Sequence, residues 1–134
     1  MKIILPLEIV IPRKTKEDKV FPLNLNVYRN THHMTLNEAK RLMLEEVEKR
    51  LPKGVDEKIG SPPYSFCYTI FPRSGRAFDL GNVCSIIQKF TDDALIHLGV
   101  ISDDNYKLVR AVEYRFGGID KVSPRAELDI CTFC

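Results

Sequence analysis

Between Arg76 and Asp104 the chain reads RAFDLGNVCSIIQKFTDDALIHLGVISDD. Asp79 and Asn82 stand at one end of this stretch, Lys89 in its middle and Asp103-Asp104 at the other end. Carboxylates from two separate elements bind a hard divalent ion such as magnesium through oxygen, and several waters stay on the ion. An ion held this way generates hydroxide, aligns it with a phosphodiester and neutralises charge on the leaving oxygen. A lysine beside it adds a cation where transition-state charge builds up. The chemistry open to this set is metal-dependent phosphodiester hydrolysis. Each residue also has a plainer use, and spacing alone favours it. Asp79 is a good N-cap and Asp103-Asp104 suits a turn. Lys89 and Asp93, four apart, can pair on an exposed helix face for a few tenths of a kcal/mol.

An acidic site repels DNA unless flanking cations hold the phosphates. Arg73 and Arg76 precede Asp79, and a basic loop with Arg13, Lys14, Lys16 and Lys19 lies earlier in the chain. These are the candidate DNA contacts, with Asn82 beside the metal ligands. Singly, each reads as an ordinary surface charge.

The elements that must position these residues follow from hydrophobic period. Residues 79–98 bury Val83, Ile86, Ile87, Phe90, Ala94, Leu95 and Leu98 at spacings of three and four, which predicts a helix stopped by Gly99. Before it, Tyr64, Phe66, Tyr68 and Ile70 alternate with Ser65, Cys67 and Thr69, as in a half-buried strand. Residues 2–11 read as one strand ended by Pro12, and 13–33 as irregular. A helix is expected from Thr35, with Glu38 completing a capping box. Its stripe is Leu36, Ala39, Met43, Val47 and Leu51, and Pro52 with Gly54 ends it. Residues 106–115 and 125–133 read as two further strands, joined through Gly117-Gly118 and Pro124. The order predicts an α/β fold in which helices pack against one mixed sheet, in a single domain over residues 1–134. If the strand after Asp104 pairs beside the one ending at Pro72, both carboxylates are expected at the same end of the sheet.

A hydrophobic content of 44% spread along the chain predicts a packed globule, and a net charge of +2 announces no polyanion by itself. No apolar run approaches the roughly 20 residues of a membrane span, and the opening MKIILPLEIVIP lacks a signal peptide's features. The expectation is a cytoplasmic protein with no membrane partner and no small-molecule cofactor. Cys67 and Cys84 read as reduced core thiols. Cys131 and Cys134 give half a zinc site with no second half, so a terminal strand that happens to hold two cysteines is the simpler reading.

Taken together, the stretch resembles the RusA family of Holliday-junction resolvases. Asp79-Leu80-Gly81-Asn82 matches the family's Asp-Leu-Asp-Asn at three of four positions. Lys89-x-x-x-Asp93-Ala94-Leu95 and Gly99-Val100-Ile101-x-Asp103-Asp104 match the remainder, and Asn26-Val27-Tyr28-Arg29 resembles an N-terminal family loop more weakly. The resemblance implies a homodimeric endonuclease, common in phages, that resolves four-way DNA junctions by paired nicking with magnesium or manganese. It assigns Asp79 and Asp104 as metal ligands with Asp103 auxiliary, Lys89 as the stabilising cation, and Asn82 as the residue fixing the loop or a metal-bound water. Two departures stand out. Gly81 replaces a family aspartate, and Lys89 lies four residues farther from Asn82 than is usual, about 6 Å along a helix. The rival reading is a protein that holds branched DNA with weak or no cleavage. A third is an α/β phage protein whose acidic cluster is coincidental.

Overall fold

The computed structural model describes residues 1–134 as β1 (Lys2–Leu5), β2 (Glu8–Ile11), β3 (Lys19–Pro22), α1 (Leu25–Arg29), α2 (His33–Arg50), α3 (Val55–Lys58), β4 (Tyr64–Phe71), α4 (Leu80–His97), β5 (Val109–Phe116) and β6 (Arg125–Thr132). Four strands make one mixed sheet in the order β1-β6-β4-β5, in which β4 runs parallel to β5 and antiparallel to β6. Period-two alternation sends Ile3, Leu5, Phe66, Tyr68, Ile70, Ala126, Leu128 and Ile130 to one buried face. There α4 packs on β4 and β5 while α2 packs on β1 and against α4. The opposite face carries no helix. Its most buried charge, Glu127, is held by Lys2 at 3.0 Å and Arg125 at 2.7 Å. A mixed sheet with helices packed against it is what the period analysis predicts, but the sheet is not single, because β2 and β3 form a separate two-stranded one.

Several boundaries differ from the sequence expectation. The strand expected over residues 2–11 breaks at Pro6-Leu7, because proline has no N–H to give a ladder. The second half, β2, leaves the sheet to pair with β3, inside the stretch expected to be irregular. The turn out of β3 is fixed by Leu23 N–H donating to the Leu7 carbonyl, and Asn24 then caps α1. Helix α2 starts before Thr35: His32 is its N-cap, with Nδ1 accepting from Met34 N–H, and Glu38 binds Arg41 rather than closing a capping box. The strand expected from residue 106 begins at Val109, because the Asn105 carbonyl takes the N–H groups of Leu108 and Val109 in a turn.

Helix α4 forms where expected. The Asp79 side chain accepts from Gly81 N–H at 3.0 Å, and Gly99, at φ +74°, ends the helix. Its apolar stripe buries Ile86, Ile87, Phe90, Ala94 and Leu95 fully, with Val83 and Leu98 at the margins. At the end of β5, a Cβ on Gly117 would sit 2.5 Å from the Phe71 ring, so only glycine lets β5 follow β4 to its last residue.

Candidate functional site

The unit β4–α4–β5 carries every residue of the expected metal site, and its topology separates them. Asp79 follows the C-terminal end of β4. Because β5 runs parallel to β4, with Tyr64 opposite Val109, Asp103 and Asp104 enter β5 at the other end of the sheet. The 18 residues of α4 lie between, about 27 Å of helix. The strand does pair beside β4 as anticipated, but in the parallel sense, so Asp79, Asp103 and Asp104 of one chain do not share an ion. No group of three or more His, Cys, Asp or Glu residues in the chain converges on a metal position. The parallel pairing splits the expected ligand set between the two ends of α4 within a single chain.

At the Asp79 end the charges are mixed. Arg73 and Arg76 are exposed on the loop between β4 and α4. Arg73 lines a cleft of about 340 Å³ with Arg50, Arg125 and Glu8. Arg76 lines a second cleft, of about 360 Å³, with Phe78, Leu80, Phe116 and Ile119. Asn82, one turn into α4, is half-buried beside this loop. Arg13 and Lys14 are not part of this group. They sit on the turn between β2 and β3, with a full strand between them and Leu7 and Leu23, the hairpin end that meets Pro72 and Phe78. Arg13 instead donates to the Glu17 carbonyl within its own loop at 2.9 Å.

The other end is acidic. Asp103 is used locally, accepting from Asp104 N–H at 2.7 Å and Asn105 Nδ2 at 2.8 Å. The Asp104 carboxylate has neither a hydrogen-bond donor nor a cation within the chain, and it acts on a buried acid that the sequence reading overlooked, Asp92. Asp92 is 3% exposed under α4. Tyr68 Oη and Gln88 Nε2 each donate to it across 3.4 Å, and Tyr114 Oη donates to Gln88 Oε1. Burial pushes its carboxyl up to about 7, and Asp104 and Asp93 add to the rise while the two hydrogen bonds oppose it. Burial, then Asp92, raises the Tyr68 hydroxyl in turn. A polar stripe, Ser85, Gln88 and Asp92 at helical spacing, is the signal in the sequence that this network leaves.

Lys89 is exposed, on the same helical stripe as Asn82 and Asp93, and makes no ion pair with Asp93 or any other acid. Gly81 leaves room for a side chain, since a Cβ there would meet Asp79 Oδ1 at an ordinary 3.6 Å. Cys84 is buried, which lifts its thiol to about 12, while Cys67 is half-buried and Cys131 and Cys134 are exposed; all four are free. No helix is long and apolar enough to cross a membrane.

No protein-family model and no curated protein matches this chain. The resemblance to the resolvases thus rests on the motif residues alone.

Proposed function

We propose that this chain is a divalent-metal-dependent endonuclease that acts on four-way DNA junctions as a homodimer. The observation that carries the reading is the uncompensated acid at the foot of α4. An exposed Asp104 carboxylate stands without a cation on the same side as the buried Asp92, on the motif unit whose other end offers Asp79 and two free arginines. Functional sites are where burial and like-charge pairs perturb carboxylates, so an acid pair without a counter-charge is a candidate site. Because Asp79 and Asp104 lie at opposite ends of α4, the reading requires two copies arranged head to tail, so that Asp79 of one meets Asp104 of the other. A two-fold dimer builds two such sites at once, which suits a junction of near two-fold symmetry. Recognition then runs through phosphates and junction shape, with Arg73 and Arg76 as contacts and Lys89 as the exposed cation of the helix. On this reading the protein works in the cytoplasm of a bacterium or a phage-infected cell.

The test is a labelled four-way junction with magnesium or manganese, beside linear duplex, for wild type, Asp79→Asn and Asp104→Asn. Wild type is expected to nick only the junction, and each variant to bind it and leave it intact. Mixing the two inactive variants in equal amounts distinguishes a shared site from a site within one chain. A shared site leaves one intact site in each mixed dimer, which restores about a quarter of wild-type sites as single nicks. A site within one chain restores none.

The substitution at Gly81 favours a second reading, a protein that holds branched DNA without cutting it. Junction binding with no cleavage in either metal is its signature. Gly81→Asp, which the free space beside Asp79 accommodates, is then expected to gain nicking.

A further inference from the structure

β5 is the unpaired edge of the sheet: it bonds to β4 on one side and to no strand on the other. Eight residues is long for an exposed edge, and β5 has no proline to blunt it. Gly117 N–H donates to the Ile70 carbonyl at 2.8 Å. Alternation therefore turns the backbone groups of Glu113 and Arg115 toward β4, and those of Val112, Tyr114 and Phe116 out to the free edge. The side chains divide the same way. Tyr114 reaches Gln88 on the helix-covered face, where Val112 is 41% and Phe116 55% exposed. Glu113 and Arg115 pair with each other on the open face at 2.9 Å.

We propose that β5 pairs antiparallel with β5 of a second copy, about a two-fold axis through Tyr114. This register is self-complementary in three respects. Tyr114 opposes Tyr114 and Val112 opposes Phe116, so each outward backbone group meets an outward group in a hydrogen-bonded pair. The two exposed apolar side chains cover one another on the helix side. Glu113 opposes Arg115 twice on the open side, giving two further opposite-charge pairs. Moving the axis to Glu113 or to Arg115 would set a charge directly against its own copy, which is destabilising. A second copy of this chain is therefore the occupant that the edge fits, rather than an unrelated strand.

The pairing doubles the four-stranded sheet and lays the two α4 helices side by side in opposite directions. It does not rest on the nuclease reading, though it supplies the head-to-tail arrangement which that reading requires.

Sedimentation equilibrium on the full chain tests it, with circular dichroism as the check on folding. Wild type is expected to be a dimer at tens of micromolar. Val112→Pro removes an outward N–H and leaves the bonds to β4 alone, and Phe116→Lys charges the apolar pair. Each is expected to raise the dimer dissociation constant by at least about tenfold, since a two-fold axis makes every lost pair count twice. Glu113→Arg should weaken the dimer, and the exchanged double variant Glu113→Arg with Arg115→Glu should restore it. A wild type that stays monomeric overturns the proposal, as does a dimer indifferent to Phe116→Lys and the charge exchange. Should Val112→Pro fail to fold, Phe116→Lys at its exposed position decides. A dimer of this kind that cuts no junction keeps the interface and removes the nuclease, while cutting by a dimer indifferent to these variants does the reverse.

Discussion

The two ends of α4 use aspartate in opposite ways. At the N-terminal end Asp79 is exposed, accepts the Gly81 N–H and faces a loop with two arginines, so its charge is supported by the helix start. Toward the C-terminal end Asp92 is buried with only long hydrogen bonds, and Asp104 and Asp93 raise its proton affinity further. One end spends a carboxylate on making the helix. The other keeps acids where they work against the fold, which makes it the candidate site of the two.

The largest expected effect breaks this contrast at Asp92. Its folded-state carboxyl titrates near 7, against an ordinary value of 3.8. Between those pH values the folded protein holds a proton that the unfolded chain gives up. Stability should thus fall as pH rises through this window and level off above it, by roughly 2–4 kcal/mol in all. Asp92→Asn keeps an acceptor for Tyr68 without the charge. It should flatten the slope, so that denaturant midpoints rise more at pH 8 than at pH 5; parallel curves for variant and wild type would remove Asp92 as the cause. At the other end, Asp79→Ala should cost about 1 kcal/mol through the lost cap while Asp79→Asn costs little, because asparagine caps as well. Equal losses in urea melts would mean that the charge, not the hydrogen bond, supports the helix start. Smallest in stability is Lys89→Ala, within about 0.5 kcal/mol for an exposed, unpaired side chain. The same variant should slow junction cleavage, and a change in melting without a change in cleavage would return Lys89 to the ordinary surface.

What could be read from the sequence was what depends on neighbours along the chain. The alternation from Tyr64 to Ile70 and the apolar stripe of α4 are local periods, and the structure keeps both with their cap at Asp79 and stop at Gly99. The α2 stripe through Ala39, Met43 and Val47 is legible for the same reason. Partnership between distant segments was not legible. Nothing local in Lys19–Pro22 says that it is a strand until Glu8–Ile11 lies beside it. The direction of β5 against β4 decides whether Asp79 and Asp104 meet, and that direction is a property of the connection through α4, not of either aspartate. Asp92 escaped notice because burial of a charged residue is set by Tyr68 and Tyr114, which arrive from two strands. The four-residue spacing of Lys89 and Asp93 suggested a pair that the side chains do not make.

The place of β6 in the sheet has a bearing on biosynthesis. This strand comes last in the fold, yet it lies in the middle, with β1 on one side and β4 on the other. As the ribosome delivers the chain at about 5–20 residues per second, β1 and the β4–β5 pair can meet only through the packing of α2 on α4, with their inner edges bare. The sheet itself closes only when Arg125–Thr132 emerges to fill the gap. For those seconds the nascent chain shows strand edges that the finished protein hides, and it is then that a holding chaperone would have the most to bind.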